Sequence, residues 1–229
     1  MTKITTPDMP KNTLKTGPML YLLTNDDEFD LLYAKLAAAL ATGTIGLLQI
    51  RRKQVLAQPN GQENLYAEAV KIVALAERYK VPVIINDDIA LAAKLGVGVH
   101  LGQQDGAISE ARQQLKTNQI IGRTCHGNVT FIKEAIDAGV TYIAMGAIFV
   151  SSTKPNANTI TRQQLIDGCQ QAANNKTEVC IIGGLTAENI RQLRGLPIAY
   201  VAVVGDIMDL PILSIERRCQ EWQQALTNW

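Results

Sequence analysis

Short apolar runs alternate with helical patterns along the whole 229-residue sequence, and this alternation predicts a single-domain α/β fold. We count roughly eight strand–helix units, the number that closes a (β/α)₈ TIM barrel. The apolar runs recur without an internal sequence repeat and without a linker that would divide the chain. With 47% hydrophobic and 19% charged residues, the chain has enough apolar material for one full core.

The first half of the chain provides four predicted strands and three predicted helices. The predicted strands are residues 20–23, 45–50, 81–85 and 97–101, and the predicted helices are residues 28–41, 64–79 and 89–95. Gly96 follows the last of these helices and is a natural C-cap, so the crossover between the third and fourth strands is short. A strand–helix–strand unit of this kind has parallel strands that lie close together.

The second half continues the same alternation. The predicted strands are residues 119–122, 142–145, 179–182 and 200–204, and the predicted helices are residues 130–138, 161–173, 186–193 and a long C-terminal helix that ends at Leu226. Thr186 is the expected N-cap of the third of these helices. Residues 1–17 are polar and lack the apolar segment of a signal peptide, which predicts a flexible N-terminal tail before a catalytic barrel domain over residues 18–229.

An open doubly wound sheet is the rival architecture. Gly96 and Gly98 suggest the GxGxxG loop of dinucleotide-binding folds, but position 101 is Leu, so the motif is incomplete. These glycines also precede their strand, whereas a dinucleotide-binding loop follows it. The sequence therefore favours the barrel.

Charge and cysteine usage exclude several kinds of partner. The formal net charge is +1, which gives no electrostatic reason to expect a nucleic acid or an anionic membrane. No uninterrupted apolar stretch is long enough to span a bilayer. The four cysteines are scattered, without CxxC pairs or zinc-ligand spacing, so a reduced, soluble and cytoplasmic protein is expected.

Residues that follow the strands form the candidate site, because the carboxyl ends of parallel strands face the ligand in this fold class. Two carboxylates, Asp87 and Asp105, follow the neighbouring third and fourth strands. Mg²⁺ takes one or two protein carboxylates and completes its coordination with water and substrate phosphates, which makes this pair a candidate metal site. The cations Arg51, Lys53 and Lys154 follow strands two and six and supply positive charge for the same phosphates.

Glycines follow the last two strands, where barrels often bind a phosphate through backbone N–H groups. Gly183 and Gly184 follow the seventh strand, and Gly205 follows the eighth. The residues therefore describe a metal-assisted diphosphate site beside a second, monophosphate site. A diphosphate held by Mg²⁺ and cations is a stabilised leaving group, so such a site acts electrostatically.

Each of these features also has a purely structural interpretation. Asp87 or Asp88 would serve as the N-cap of the following helix, residues 103–105 as a solvated turn, and the glycines as ordinary turn residues. The convergence of three cations on the same predicted rim favours the ligand-binding interpretation.

Three further residues, which lie close to these positions in the sequence, also allow either a functional or a structural interpretation. His126 is either a ligand-binding residue or a packed loop histidine. Arg52 should point away from the site if strand alternation persists, so it is interpreted as structural. Cys125 lacks any further signature of a thiol nucleophile and is interpreted as incidental.

Three motifs occur in an order that is specific to one family. They are QIRRK at residues 49–53, IND at residues 85–87 and HLGQQD at residues 100–105. In these motifs and their order, the chain resembles the thiamine-phosphate synthase family. The supporting segments are LYLLT at residues 20–24, Ile121-Gly122 with Thr124 and His126, MGAIF at residues 145–149 with Ser151, Thr153 and Lys154, and IGGL at residues 182–185. The resemblance runs from about the first strand to the eighth, and only the N-terminal tail lies outside it.

The resemblance implies a (β/α)₈ barrel transferase of thiamine biosynthesis. Members of the family join hydroxymethylpyrimidine diphosphate to a thiazole phosphate, and they release pyrophosphate and form thiamine phosphate. The family's reaction is dissociative: pyrophosphate leaves, and the thiazole nitrogen captures the pyrimidine-stabilised carbocation. Because that nitrogen carries no proton, no general base is required. The plain and the carboxylated thiazole phosphate both remain possible second substrates.

The family's site residues carry over to matching positions of this sequence. Asp87 and Asp105 would hold Mg²⁺. Arg51, Lys53 and Lys154 would grip the diphosphate as the catalytic group. The other expected substrate-binding residues are Thr124 where the family usually has serine, Gln49 and Asn86 at the pyrimidine, His126, and Ser151, Thr153, Gly184, Val204 and Gly205 at the thiazole phosphate.

Three departures from the family pattern matter. Arg123 stands where the family usually has a small apolar residue, in a strand that should be buried. Thr124 and Ser151 each exchange one hydroxyl residue for another. Gly205 and Asp206 stand where the family commonly has Ser-Ala, and a carboxylate near a helix N-terminus would occupy an anion site or repel a phosphate there, unless it turns outward as a cap.

Two other functions remain as alternatives. A thiazole tautomerase-like isomerase on the same barrel would need an acid–base residue, for which His126 and His100 are the histidine candidates. A non-catalytic phosphate-ligand-binding barrel would tolerate the altered Gly205-Asp206 pair. The expected partners are phosphorylated small molecules, and a homo-oligomer stays open because barrels of this kind often associate.

Overall fold

A computed structural model describes residues 17–150, 158–227 and 229 of the protein. The flexible tail expected over residues 1–17 stays a prediction, because only Gly17 belongs to the described part. The candidate site residues Ser151, Thr153 and Lys154 also lie outside the described residues.

Eight parallel strands close into one barrel, in which each strand pairs with the next along the chain and the last pairs with the first. The strands are β1 (Met19–Leu23), β2 (Ile45–Ile50), β3 (Val83–Asn86), β4 (Gly98–Leu101), β5 (Ile121–Thr124), β6 (Tyr142–Met145), β7 (Glu178–Ile182) and β8 (Tyr200–Val203). In the closing pair, Leu20 of β1 is in register with Val201 of β8. The predicted (β/α)₈ TIM barrel is confirmed.

Helices surround the barrel. In the described part of the chain they are α1 (Phe29–Ala41), α2 (Lys53–Leu56), α3 (Gly61–Arg78), α4 (Ile89–Leu95), α5 (Ile108–Gln114), α6 (Val129–Asp137), α7 (Arg162–Asn174), α8 (Gly205–Met208) and α9 (Ile212–Leu226), with a 3₁₀ helix at Ile190–Leu193. None of these helices has both the length and the apolar character needed to cross a lipid bilayer.

The helical segments differ from the prediction in two respects. The structure adds α5 after β4, and it adds the short helices α2 and α8 directly after β2 and β8. The α-helix expected over residues 186–193 is wrong, because only the 3₁₀ helix forms there. Thr186 does exchange hydrogen bonds with Asn189 as an N-cap would, but the chain continues as a turn into a short 3₁₀ connector.

Alternation along the strands divides the apolar residues between two cores. The larger core lies between the barrel and the helices and includes Leu20, Leu22 and Leu48. The smaller core fills the barrel interior and consists of Tyr21, Leu23, Leu47, Ile84, Ile120, Tyr142, Ala144, Cys180, Tyr200 and Ala202. Three tyrosines therefore lie inside the barrel, where their hydroxyls need hydrogen-bond partners.

The unit from β3 to β4 is the short crossover that the sequence predicts. Asp88 is the N-cap of α4, and its carboxylate accepts a hydrogen bond from a first-turn backbone N–H at 2.8 Å. Gly96 ends the helix in the left-handed conformation, with φ at 72°. Because β3 and β4 pair in parallel, their carboxyl ends bring Asp87 and Asp105 together.

Candidate active site

A large cavity opens at the carboxyl ends of the barrel strands. It is lined by every candidate site residue that the structure describes: Gln49, Arg51, Lys53, Asn86, Asp87, Asp105, Thr124, His126, Gly184, Val204 and Gly205. The fold therefore brings together on one rim residues that are far apart in the sequence.

Asp87 is held on this rim by side chains around it. Its Oδ2 atom accepts a hydrogen bond from Asn86 Nδ2 at 2.5 Å and lies 3.3 Å from Lys53 Nζ. Its Oδ1 atom accepts a longer bond, 3.4 Å, from the backbone N–H of Gly102. Since Asp88 is the residue that caps α4, the helix-capping interpretation applies to Asp88 and leaves the Asp87 carboxylate for the cavity.

Asp105 lies beside Asp87 because Gly102 has no side chain, and a Cβ atom at Gly102 would clash with the Asp105 carboxylate. Partial burial and the neighbouring Asp87 carboxylate raise the pKa of Asp105 above its usual value. Two adjacent carboxylates that repel each other are stabilised by a divalent cation, so the pair fits Mg²⁺, which needs only one or two protein carboxylates. Within the described residues no third His, Cys, Asp or Glu side chain joins the pair.

Positive charge faces the same rim from the end of β2. The buried hydroxyl of Thr24 fixes the backbone at Arg51, because it accepts from the Arg51 N–H at 2.8 Å and donates to the Arg51 carbonyl at 3.1 Å. Arg51 and Lys53 both line the cavity, and 55% of the Lys53 side chain is exposed. These cations are placed to attract an anionic ligand.

Arg52 lies between the end of β2 and the start of α2, and its side chain points away from the cavity, as the sequence predicts. Its side chain is buried and forms an ion pair with Glu68 of α3 at 2.8 Å. It also donates to the carbonyl oxygens of Asn25 and Asp27, at 2.8 and 2.7 Å. Arg52 therefore connects β2 to α3 and to the loop before α1, and its interpretation as a structural residue agrees with these contacts.

A line of polar side chains crosses the barrel interior below the rim. Gln49 Nε2 donates to the Tyr21 hydroxyl at 2.6 Å, and the hydroxyls of Tyr21 and Tyr142 are 3.0 Å apart. The Tyr142 and Thr124 hydroxyls bond the two ring nitrogens of His100, at 2.8 Å for Nδ1 and 2.9 Å for Nε2. Separation of the His100 ring from bulk water lowers its pKa to about 4, although part of the ring borders the cavity.

His126 and Cys125 follow β5 but differ in environment. His126 is exposed at the cavity edge, with φ at 53°, so it is not a packed histidine. Cys125 is fully buried, and burial raises the pKa of its thiol to about 12. A thiol that stays protonated at neutral pH is a poor nucleophile, which agrees with the interpretation of Cys125 as incidental.

Gly183 and Gly184 allow a close approach between the ends of β6 and β7. Gly184 has φ at +63°, and a Cβ atom there would meet the carbonyl oxygens of Phe149 and Val150. The Phe149 N–H donates to the Gly183 carbonyl at 2.9 Å. The turn therefore requires glycine on structural grounds, and it also leaves backbone open at the cavity.

Asp206 is paired with a cation on the last helix. Its two carboxylate oxygens accept from Arg218 Nη2 at 2.6 Å and Nε at 2.9 Å, and the Trp222 indole donates to the same group at 2.7 Å. The Asp206 carboxylate does not cap α8, whose N-cap residue is Val204. The outward-turned cap is therefore wrong, and the Asp206 carboxylate instead forms an ion pair with Arg218 of α9.

Arg123 is partly exposed and braces a loop of the site. Its guanidinium donates to the carbonyl oxygens of Gly106 at 2.9 Å and Gln103 at 3.1 Å. The expectation of a buried environment at this position is therefore wrong for the side chain. Because the loop between β4 and α5 carries Asp105, Arg123 supports the acidic pair indirectly.

Residues 20–207 match the family model described as "Thiamine monophosphate synthase". This stretch includes all eight strands except Met19, the first residue of β1, and it includes every lining residue named above. The chain belongs to the thiamine monophosphate synthase family. Membership confirms the expected enzyme class, a transferase of thiamine biosynthesis.

Two relatives support this family, and a solved structure supports the fold. The thiamine-phosphate synthase of Alcanivorax borkumensis is 41% identical over 169 residues, which is 73% of this chain and 74% of that protein. The thiamine-phosphate synthase of Methylobacillus flagellatus is 33% identical over 217 residues, which is 94% of this chain and 99% of that protein. A thiamine phosphate pyrophosphorylase structure from Pyrococcus furiosus superposes with a TM-score of 0.73 at 21% identity, covering 90% of this chain and 94% of that chain, and it supports the fold alone.

Motif order within the thiamine monophosphate synthase family does not single out every residue at the site. Tyr142 lies outside every quoted motif, and the LYLLT segment at residues 20–24 assigns no hydrogen-bonding role to Tyr21 or Thr24, although the hydrogen bonds of these residues position Gln49 and Arg51. One signal was present in the sequence: a tyrosine inside an otherwise aliphatic barrel strand needs a polar partner for its hydroxyl. The identity of that partner depends on register between strands that are distant in sequence.

Proposed function

We propose that the protein condenses 4-amino-5-hydroxymethyl-2-methylpyrimidine diphosphate with hydroxyethylthiazole phosphate, or its carboxylated form, to give thiamine phosphate and pyrophosphate. With the carboxylated form, the thiazole carboxylate is released as CO₂. The observation that carries the proposal is the meeting of Asp87, Asp105, Arg51 and Lys53 at one end of this family's barrel. A carboxylate pair beside two cations suits a metal–diphosphate group, since the metal needs oxygen ligands and the phosphates need positive charge.

Mg²⁺ is the cofactor that the carboxylate pair fits. Asp87 and Asp105 would hold it, and when bound it would neutralise negative charge on the diphosphate as that group leaves. The mutual repulsion that helps to raise the pKa of Asp105 supports this assignment. Lys53, 3.3 Å from Asp87, balances part of the negative charge of the pair.

The diphosphate is gripped by three cations in this proposal. Arg51 offers a planar fork of donors, and Lys53 and Lys154 act as point charges. Thr124 adds a hydroxyl from the end of β5. For Lys154 the proposal rests on the family motif at residues 145–154.

The pyrimidine lies against two side-chain amides. Gln49 Nε2 is bonded to Tyr21, and Asn86 Nδ2 is bonded to Asp87. Each amide therefore presents its carbonyl oxygen as the remaining acceptor, which suits an amino group on the pyrimidine ring.

The thiazole phosphate binds at the ends of β7 and β8. Gly184, Val204 and Gly205 line the cavity there and offer backbone groups, and Ser151 and Thr153 would add hydroxyls. His126 at the cavity edge would complete the substrate contacts.

The reaction balances without a protein base. The bond between the pyrimidine methylene carbon and the diphosphate oxygen breaks, and its electron pair leaves with pyrophosphate. The lone pair of the thiazole nitrogen then forms the new carbon–nitrogen bond, and no proton has to be removed. The chain's task is to orient two phosphorylated substrates and to stabilise the leaving group. His100, bonded at both ring nitrogens, gives no support to an acid–base isomerase.

We also propose a cytoplasmic location, which four buried free cysteines support. We further propose that residues 1–17 form a flexible tail ahead of the barrel domain over residues 18–229. A homo-oligomer is a separate part of the proposal.

A mass-spectrometric assay of the purified protein with both substrates, with and without Mg²⁺, tests the proposed reaction. Thiamine phosphate that forms only with the metal is the expected result. Consumption of the pyrimidine diphosphate without thiamine phosphate would mean a different acceptor. A folded protein that consumes neither substrate would overturn the synthase assignment and favour a binding role.

A further inference from the structure

We propose that the polar line through the barrel interior is a one-way hydrogen-bond relay that holds the Thr124 hydroxyl as a donor towards an anion in the cavity. The relay runs from Gln49 through Tyr21, Tyr142 and His100 to Thr124. His100 and Tyr142 are then positioning residues for substrate binding. The inference rests on the proposed function for the identity of the anion, a diphosphate.

The geometry of the relay is continuous. Its four hydrogen bonds measure 2.6, 3.0, 2.8 and 2.9 Å in order from Gln49 to Thr124. The five residues come from five different strands, so the line exists only in the closed barrel. Tyr21 and Tyr142 are fully buried in the inner core, which keeps bulk water from competing for their hydroxyls.

The direction of the relay follows from its first member. An amide nitrogen only donates, so the Tyr21 oxygen accepts from Gln49 and its own proton points to Tyr142. The Tyr142 oxygen accepts this hydrogen bond, and the Tyr142 hydroxyl donates its own hydrogen bond to Nδ1 of His100. With the Gln49 amide nitrogen facing Tyr21, each phenol has one proton to give, so only this direction satisfies every bond. Burial raises the pKa of both phenols, which supports their staying protonated.

The end of the relay fixes the proton at Thr124. An imidazole that accepts at Nδ1 carries its proton on Nε2 and donates it to Thr124 Oγ1. The Thr124 hydroxyl, already an acceptor, then keeps its own proton for a ligand in the cavity that it lines. With the opposite direction, Thr124 would donate to His100 and would present lone pairs to an anionic ligand, which repels it.

Tyr200 provides a matched control inside the same core. Its ring contacts those of Tyr21 and Tyr142, with centroids 6.3 and 5.4 Å apart. Its hydroxyl, however, donates to Glu178 Oε2 at 2.6 Å and takes no part in the relay. Tyr200→Phe therefore removes a tyrosine hydroxyl from the same inner core without breaking a hydrogen bond of the relay.

The first experiment determines the tautomer of His100 by nitrogen NMR on the full-length protein labelled with ¹⁵N-histidine. The sequence contains only two histidines, His100 and His126, and a His126→Gln variant assigns the signals. The relay requires a proton on Nε2 and none on Nδ1 of His100 at neutral pH. A proton on Nδ1 would overturn the proposed direction.

The second experiment measures binding of inorganic pyrophosphate with Mg²⁺ by calorimetry. Tyr142→Phe should weaken binding about tenfold, because the Thr124 hydroxyl loses its fixed direction. Tyr200→Phe should leave it unchanged. In a Thr124→Val background, Tyr142→Phe should have no further effect, since the relay acts only through that hydroxyl. Circular dichroism and thermal denaturation establish that each variant is folded.

Different results separate this inference from the proposed function. If the wild type binds pyrophosphate but Tyr142→Phe behaves like Tyr200→Phe, the relay is overturned and the diphosphate site stands. Tyr142→Phe could also weaken pyrophosphate binding equally in the wild-type and the Thr124→Val backgrounds. That result would show a merely structural effect and would overturn the relay as well. A wild type that neither binds pyrophosphate nor turns over would overturn the proposed function and the ligand assigned to the relay.

Discussion

Arg218 holds both carboxylate oxygens of Asp206, through Nη2 at 2.6 Å and Nε at 2.9 Å. The same arginine reaches Glu188 at 2.6 Å and Glu221 at 2.7 Å, so one cation of α9 is shared among three carboxylates. This cluster borders the ends of β7 and β8, where we propose that the thiazole phosphate binds. We therefore expect the charge balance at Asp206 to affect binding of the second substrate.

Asp206→Ser should tighten binding of the thiazole phosphate by a few-fold, because it removes a negative charge and lets Arg218 donate towards the cavity. The same change should lower stability by about 1–3 kcal/mol, since the Trp222 indole loses its acceptor. Titration calorimetry and thermal denaturation measure the two effects. Asp206→Asn, which keeps an oxygen for Trp222, serves as the control with the smaller loss of stability. Weaker thiazole phosphate binding in both variants would mean that the Asp206–Arg218 pair itself shapes the site.

The Arg218–Glu188 contact predicts a pH dependence of stability. Hydrogen bonds from Arg218 hold the pKa of Glu188 at about 2, below the ordinary value of 4.5. A carboxyl whose pKa is lower in the folded state stabilises it above the unfolded pKa, and this contribution disappears as the pH falls through the folded pKa. Because 69% of the Glu188 side chain is exposed, the effect should stay below about 1 kcal/mol.

Comparison with Glu188→Gln isolates that contribution. The difference in melting temperature between the wild type and this variant should be constant above about pH 5 and should shrink between pH 4.5 and 2. Added salt should reduce it at neutral pH. A difference that grows towards acid would contradict the assignment of the low pKa to Glu188.

Local signals were sufficient to predict most of the fold. Residues 89–95 have a helical pattern that Gly96 ends, and the structure has the same bounds for α4. The sequence does not decide between an α-helix and a 3₁₀ connector after Thr186, because the N-cap signal is the same for both. That difference depends on how much chain is available to span from β7 to β8.

The rim of the candidate site was more predictable than its interior. Residues that directly follow strands, such as Asp87 and Arg51, must lie at one end of any parallel barrel. The pairing of Asp206 with Arg218 was not predictable, because it requires the position of α9 relative to α8. The different roles of Arg51 and Arg52 were predicted correctly from alternation, a property of strands, although β2 already ends at Ile50.

Arg51 and Arg52 should respond differently to the same substitution. Arg52→Met should lower stability by about 3 kcal/mol, because it leaves Glu68 without its buried partner and two backbone carbonyls without donors. Arg51→Met should leave the melting temperature nearly unchanged and should weaken binding of the diphosphate substrate. Thermal denaturation and steady-state kinetics on both variants test this contrast. Equal stability losses would contradict the assignment of Arg51 to the cavity.

Asp87 and Asp88 are adjacent carboxylates with separable roles. Asp87→Asn should reduce Mg²⁺-dependent turnover by about two orders of magnitude or more, because it removes a charged metal ligand. Asparagine is chosen because φ at residue 87 is 66°, a conformation that asparagine tolerates and most other residues do not. The fold should remain intact, since the Asp87 side chain contributes no contact to either apolar core.

Asp88→Ala is the matched control. It removes the N-cap of α4 and should cost about 1 kcal/mol of stability while turnover is retained. Turnover with varied Mg²⁺ and thermal denaturation of both variants give the comparison. If Asp87→Asn keeps full turnover, Asp87 is not a metal ligand. If Asp88→Ala loses turnover without losing stability, the two assignments are reversed, because the capping carboxylate would then be the one that reaches the substrate.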